Sequence, residues 1–283
     1  IYTPYSKKWL LQYNDGEREF YPSEKLLHHF IDVEKQDLSL EKIGFIKTNF
    51  HFEIPKINRE IIKSYHETRN FPTTKTSEMS VHLRFGTISI RKLAHEAAQL
   101  NETYLKELIW REFFMQILYH FPKVVHESFK RKYDRILWLY DEKNLKKWQE
   151  GKTGYPIVDA GMRELNETGF MHNRVRMVCA SFFTKHLLMD WRIGEAYFAE
   201  KLMDYDLSAN NGNWQWSAGT GCDSAPYFRV FNPEEQQKKF DPAFKYIKKW
   251  IKEFGTKEYP KPIVEHKFAR LRALETYKKG LQE

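Results

Sequence analysis

From about residue 60 onward, apolar residues recur at helical spacing, and few segments show the two-residue alternation of a half-buried strand. That periodicity removes most sheet-built folds and predicts an all-α, mainly helical chain. Helices are expected over 57–69, 87–100, 102–120, 141–150, 156–167, 172–189, 193–204 and 243–253, with a last one near 265–280. Thr153-Gly-Tyr-Pro156 reads as a helix start and Gly169 as a stop, since proline suits the first turn and glycine the left-handed exit. Residues 1–60 are more mixed, with Pro4, Pro22 and Pro55 and one short amphipathic stretch, SEKLLHHFIDV, and read as a linker. No internal repeat or low-complexity run interrupts the pattern.

A chain of 283 residues is long enough for one large or two modest domains. Aromatics make up 16% of it, which suits a core but also suits flat ligands and stacked bases. The net charge of +8 and pI near 9.2 favour an anionic partner such as nucleic acid, although a basic surface also serves solubility. Two cysteines, Cys179 and Cys222, cannot make a disulfide framework, so buried free thiols and an intracellular setting are expected. Runs such as MVCASFF are too short to span a bilayer. The opening IYTPYSKKWLL resembles no signal peptide and carries no initiator Met, so the chain is expected to begin inside a longer protein.

The eleven histidines show no metal-ligand spacing, and no metal is expected. Walker, Rossmann and Gly-x-Ser-x-Gly patterns are all missing, so any chemistry must rest on a bound organic cofactor. Three stretches could supply the groups. In NETYLKELIWREFFMQILYH (101–120), Tyr104, Glu107, Trp110 or Arg111, and Phe114 share a face. Glu107 either pairs with Arg111 at the surface or aims a carboxylate into an aromatic pocket. In FMHNRVRMVCASFF (170–183), the arginines are either solvated or divided between a phosphate backbone and a buried acid, Asp204 or Asp206. TKTSEMS (74–80) offers hydroxyls at a helix start, which serve as plain caps or as an anion site.

Longer motifs narrow these choices. ELIWREF (107–113), WQEGKTGYPIVDAGMREL (148–165), MHNRVRM (171–177), DYDLSANNGNWQWSAGTG (204–221) and APYFRVFNP (225–233) occur together. In that order the chain resembles the cryptochrome/photolyase family, on the side of the class I cyclobutane pyrimidine dimer photolyases. The resemblance runs from residue 1 to about 255. It implies that 1–60 is the end of an N-terminal antenna domain with its linker, and that 61–283 is the helical FAD-binding domain. The antenna chromophore would sit on the antenna domain.

By motif position, the resemblance assigns Tyr65, Thr76, Ser77, Met79, Ser80, Tyr104, Glu107, Arg111, Asn173, Arg176, Asp204, Asp206, Leu207 and Asn210 to FAD, with Arg176 and Asp204 as an ion pair and Asn210 at flavin N5. It assigns Glu107, Trp110, Asn173, Met177 and Trp216 to a flipped-out dimer, and Arg69, Arg174 and Arg229 to the DNA backbone. Trp214, Trp191 and Trp138 match a relay that re-reduces the flavin. The chain departs from the family at Tyr104, where Trp is common, at Glu78, where a basic residue is common, and at Val81, where Pro is common.

The implied activity is light-driven repair of cyclobutane dimers in DNA, with one electron passing from excited, reduced FAD to the dimer and returning. The alternative is a cryptochrome-type receptor that binds FAD without repairing duplex DNA. The (6–4) branch is disfavoured by Asn173 and Met177, where its histidines would be needed. A monomer acting in the cytoplasm on damaged DNA, without a membrane, completes the expectation.

Overall fold

The computed structural model describes residues 1–16, 23–34, 38–48 and 54–282. Its helices are α1 (Tyr2–Asp15), α2 (Arg59–Lys63), α3 (Tyr65–Thr68), α4 (Met79–Phe85), α5 (Ile90–Leu100) and α6 (Glu102–His120). They continue as α7 (Glu142–Gln149), α8 (Pro156–Thr168), α9 (Asn173–Ser181), α10 (Trp191–Lys201) and α11 (Leu207–Ala218). The last three are α12 (Pro233–Phe240), α13 (Lys245–Trp250) and α14 (His266–Gln282). Among the described residues the only β-type pairing is one isolated parallel bridge, Leu139 with Met189. The all-α expectation therefore holds.

The capping chemistry explains most boundaries. Asn101 accepts from the N–H of Tyr104 at 3.1 Å to open α6, Asp206 accepts from that of Ala209 at 3.0 Å to open α11, and Pro156 opens α8. Gly169 and Gly219 close α8 and α11 in the left-handed region, with φ of 69° and 87°.

Several elements depart from the sequence expectation: the helix expected over 57–69 breaks at Ser64 into α2 and α3, and α4 lies between the expected helices. Residues 1–60, read as linker, begin with α1, which packs on α6 and donates from Trp9 Nε1 to Glu112 at 2.8 Å; Pro22 lies outside the described residues. The expected helix 172–189 stops at Ser181 and widens into a π-turn, Phe182–His186. α12 carries its own start signal, Asn232-Pro233, overlooked in the pattern. Most consequential, the polar stretch LSANNGNWQW is a helix, α11, because its amides find partners outside it. Asn211 and Gln215 both donate side-chain N–H groups to the carbonyl of Val124 at 2.9 Å. Intrinsic propensity is overridden by tertiary bonding.

Two apolar cores result. One gathers α8, α9, α10, α11 and α13 around Trp148, Trp191 and Trp214, and the other gathers α1, α5 and α6 around Ile62, Ile109 and Phe113. α6 packs on α11 between them, where a Cβ on Gly212 would stand 2.2 Å from the Phe114 ring. Likewise α10 can approach α11 because Gly194 leaves room for Trp214, whose ring a Cβ would meet at 2.2 Å. At the far end of α11, the buried ammonium of Lys185 and the hydroxyl of Tyr277, on α14, both donate to the carbonyl of Ala218, at 2.8 and 2.7 Å. Lys185 Nζ also lies 3.6 Å from the centre of the Tyr277 ring. Burial pushes the Lys185 ammonium well below its usual pKa.

Gly194→Ala is expected to overpack this contact and destabilise the fold by about 1–3 kcal/mol, read as a lower denaturant midpoint with an unchanged slope.

Candidate functional site

α6 directs its mixed face toward α3 and the segment before α4. Glu107 Oε1 meets Arg69 Nη1 at 2.6 Å, so its partner is Arg69 and not the Arg111 one turn on. Arg111 instead donates from Nη2 to the carbonyl of Leu83 at 3.4 Å. The alternative of a Glu107–Arg111 surface pair is thus corrected: α3 brings a better-placed guanidinium. Burial raises the Glu107 carboxyl above its usual pKa, and Arg69 offsets only part of that. The Arg69 guanidinium also lies 5.3 Å from the Tyr65 ring centre, and Tyr65 meets Tyr104 edge-on at 5.0 Å. Tyr104 Oη and Ser77 Oγ are hydrogen-bonded at 2.9 Å, which ties α6 to the 74–80 segment. There Met79 is buried, Thr76 half-buried and Ser80 exposed. The Glu78 backbone is left-handed, φ 53°.

One turn along α6, the Trp110 indole is stacked on Tyr2 of α1, with centroids 3.6 Å apart and planes within 4°. Phe114 packs against Trp110 at 5.4 Å and against Gly212 of α11. Trp216, half-buried two residues beyond Trp214, shares a small cavity with Phe114, Asn211 and Gly212.

The second cluster lies where α9 meets the start of α11. Arg176 Nη2 donates to Asp204 Oδ2 at 2.8 Å, while its Nε donates to the carbonyl of Met171. Burial is the largest influence and would raise Asp204, but the Arg176 charge and hydrogen bond, together with hydrogen bonds from Ser80 and the backbone, outweigh it and hold the carboxyl below its ordinary range. The other oxygen, Oδ1, is buried without a hydrogen-bond partner. Asp206 caps α11 and accepts from Ser208 Oγ, and Leu207 is half-buried beside it. Asn210 Nδ2 donates to the Glu195 carbonyl at 3.1 Å and to Glu195 Oε1 at 2.8 Å. A backbone carbonyl can only accept, so the amide orientation is fixed and Oδ1 remains available as an acceptor. Glu195, which sequence reasoning missed, carries no motif signal; it lies fifteen residues earlier and on another helix.

Further along this face, Arg174 donates to Asn70 Oδ1 at 2.5 Å and lies 4.5 Å from the Phe240 ring centre. Burial, then the neighbouring cations Arg69 and Arg229, lower its pKa. Arg229 itself is exposed. Asn173 Nδ2 is 4.0 Å from Met177 Sδ. His172, which opens α9 by accepting from the N–H of Arg174, is pushed by burial to a pKa of about 4 and is neutral at pH 7.

Of the tryptophans, Trp214 and Trp191 are buried in one core and Trp138 packs against it. Trp214 also faces Trp148, centroids 6.2 Å apart, a fourth indole that sequence reasoning left unassigned. The indole N–H groups of Trp148, Trp191 and Trp214 are all buried without partners.

Arg176→Met should cost about 3 kcal/mol at pH 7, since it strands a carboxylate in the interior. Because the folded pKa of Asp204 lies below its unfolded value, its contribution is present above about pH 4 and is lost as pH falls through the folded pKa. Denaturant midpoints measured from pH 7 to pH 3 should show this loss in the native chain and not in Asp204→Asn.

Residues 104–257 match the family model for the FAD binding domain of DNA photolyase. The deoxyribodipyrimidine photo-lyase of Escherichia coli K12 is 38% identical across 98% of this chain and 67% of its own length. The crystal structure of a bacterial class III photolyase from Agrobacterium tumefaciens superposes with a TM-score of 0.76 at 41% identity, covering 79% of this chain and 53% of that one. An archaeal photolyase from Sulfolobus tokodaii, solved with two FAD molecules, gives 0.72 at 43% identity, with 78% and 56% covered. The chain spans two thirds of the Escherichia coli relative and about half of the others it matches. With the helical architecture, the paired Arg176 and Asp204 and the aromatic walls of α6 and α11 in place, the chain belongs to the photolyase FAD-binding domain family.

Proposed function

We propose that this chain performs light-driven repair of cyclobutane pyrimidine dimers in DNA. The observation that carries the reading is Glu107, a half-buried carboxylate of raised pKa, held by Arg69 one turn from Trp110 on the helix that packs against α11. A carboxyl group so placed can donate to or accept from the polar edge of a base while indoles cover the base faces.

The residues present fit FAD. The orphaned Asp204 Oδ1 and the fixed Asn210 Oδ1 are acceptors for N–H or hydroxyl groups. In the Tyr104–Ser77 pair one hydroxyl donates to the other, which leaves a single O–H to donate elsewhere. Tyr65, Thr76, Ser77, Met79, Ser80, Tyr104 and Arg111 would hold the phosphate and ribityl portion, and Asn173, Arg176, Asp204, Asp206, Leu207 and Asn210 the ring system. When bound in its reduced form, this cofactor supplies on illumination the electron that opens the cyclobutane ring.

The protein's own part is to bind and orient. Trp110 and Trp216 wall the pocket, with Asn173 and Met177 at its edge, and select a lesion whose weakened stacking makes extrusion least costly. Arg69, Arg174 and Arg229 hold the flanking phosphates. Trp214, Trp191 and Trp138 carry electrons inward to restore the reduced cofactor. The protein acts as a monomer in the cytoplasm; among the described residues no helix is long and apolar enough to cross a membrane.

Illumination of the FAD-loaded, reduced protein with dimer-containing DNA should restore thymine absorbance. FAD retained with no recovery would overturn the repair reading in favour of a light receptor. Trp216→Ala should weaken binding of dimer-containing DNA by roughly tenfold to a hundredfold, the worth of one stacked base. If Glu107 acts in its protonated form, repair yield falls as pH rises through its elevated pKa. Glu107→Gln should lower the yield and flatten that profile, and an unchanged yield would remove Glu107 from the mechanism.

A further inference from the structure

Tyr2 of α1 meets the wall formed by Trp110 in a geometry that ordinary packing does not require. The two rings overlap almost fully, with centroids 3.6 Å apart and planes within 4°. Aromatic pairs prefer offset or edge-on contact to such a sandwich, so the arrangement is imposed by what holds the two side chains. Phe113 stands edge-on to both, 5.7 Å from Tyr2 and 5.6 Å from Trp110, with planes 80° and 85° away, and blocks the rings from sliding apart on that side.

Hydrogen bonds fix Tyr2 at both ends. Its hydroxyl donates to the carbonyl of Lys106 at 2.9 Å, one turn before Trp110 on α6. Its backbone N–H donates to Asp223 Oδ2 at 3.0 Å. Asp223 lines the small cavity shared by Phe114 and Trp216, so a single residue is tied to both indole walls of the pocket. Burial, and then the charge of Glu107, raises the Tyr2 phenol above its usual pKa, so the hydroxyl keeps its proton and remains a donor.

The stack leaves one face of the indole free. Tyr2 is buried, whereas Trp110 is only half-buried. With Tyr2 against one face, a flat ligand can be received only on the other. An indole turns about two side-chain bonds unless something holds it, and ordering it at the moment of binding would subtract from affinity. Because Tyr2 is anchored to α6 and to Asp223, the plane of the free face is already set before any ligand arrives.

We propose that Tyr2 is a positioning residue for lesion binding: it fixes the plane of Trp110 and so pre-organises the face on which a base of the dimer stacks. The proposal rests on the reading of this pocket as the lesion site. Tyr2 acts through Trp110, so it raises the preference for dimer-containing DNA and adds nothing to the binding of undamaged duplex.

The test compares Tyr2→Leu and Tyr2→Phe with the native sequence in the FAD-loaded 283-residue chain. Leu keeps apolar bulk without a flat ring, and Phe keeps the ring and loses only the bond to Lys106. The first readout is the ratio of affinities for a duplex with one dimer and the same duplex undamaged. That ratio should fall by about twofold to tenfold in the Leu chain, the worth of one aromatic pair, and recover in the Phe chain. In a Trp110→Ala background the Leu substitution should have no further effect on the ratio, since the two residues act as one unit. The second readout needs no DNA: with 5-fluorotryptophan incorporated, the Trp110 fluorine line, identified by its loss in Trp110→Phe, should be single and sharp in the native and Phe chains and broadened or split in the Leu chain. An unchanged ratio in the Leu chain would overturn the proposal, as would an undiminished Leu effect without Trp110 or an equally sharp line in the Leu chain. If the native chain does not prefer the dimer-containing duplex, the lesion-pocket reading fails, while the fluorine line still decides whether Tyr2 holds Trp110.

Discussion

The arrangement of the whole domain depends on how α11 is buried. This helix has no continuous apolar stripe, and it stays in the interior because its polar groups are bonded on every side. Asn211 and Gln215 share the Val124 carbonyl, Asn210 bonds to Glu195, Asp206 caps the first turn, and Lys185 with Tyr277 holds the last carbonyl. Buried polar groups left unpaired would each be costly, whereas a satisfied network fixes one register. The two glycine contacts, at Gly194 and Gly212, then let α10 and α6 come close enough to clamp the helix. Asn210, Trp214 and Trp216 consequently hold set directions relative to Glu107 and Trp110.

The electrostatics of the two clusters differ in kind. Arg176 and Asp204 form a pair in which the cation and the hydrogen bonds to the carboxylate together prevail over burial, so the acid stays ionised. Around Glu107 burial prevails over the cation, and the acid is poised to hold a proton more readily than a carboxylate in water. Two carboxylates, Glu107 on α6 and Asp204 in the connection before α11, are thus shifted in opposite senses although their arginines lie at similar distances, 2.6 and 2.8 Å. Burial is the largest influence on both, and the difference lies in the further hydrogen bonds from Ser80 and the backbone that Asp204 has and Glu107 lacks.

Much of the architecture was legible in the amino-acid pattern. Helical periodicity located α5 to α8, α10, α13 and α14 to within a few residues and α9 at its start only, and Pro156 and Gly169 marked α8 correctly. The pairing of Arg176 with an acid was one of two open readings of the residues, and the family resemblance singled out Asp204. α11 escaped because its stabilising bonds reach residues some 90 positions away in sequence, which no local rule detects. The same limit explains Glu107: its neighbour Arg111 is local, whereas Arg69 arrives from a separate helix. Trp148 and Glu195 lie in segments whose local pattern is that of ordinary helix, and only packing brings them beside Trp214 and Asn210.

The shared carbonyl at Ala218 has a wider meaning for the end of the chain. Two donors from different helices converge on one oxygen, and one of them is the buried Lys185 amino group. The Tyr277 ring is the lid that keeps that nitrogen enclosed, its face toward Nζ and its hydroxyl on the same oxygen. α14 therefore acts as a keystone set from outside: the last carbonyl of the helix that carries Trp214 and Trp216 gains its second donor only when α14 is docked.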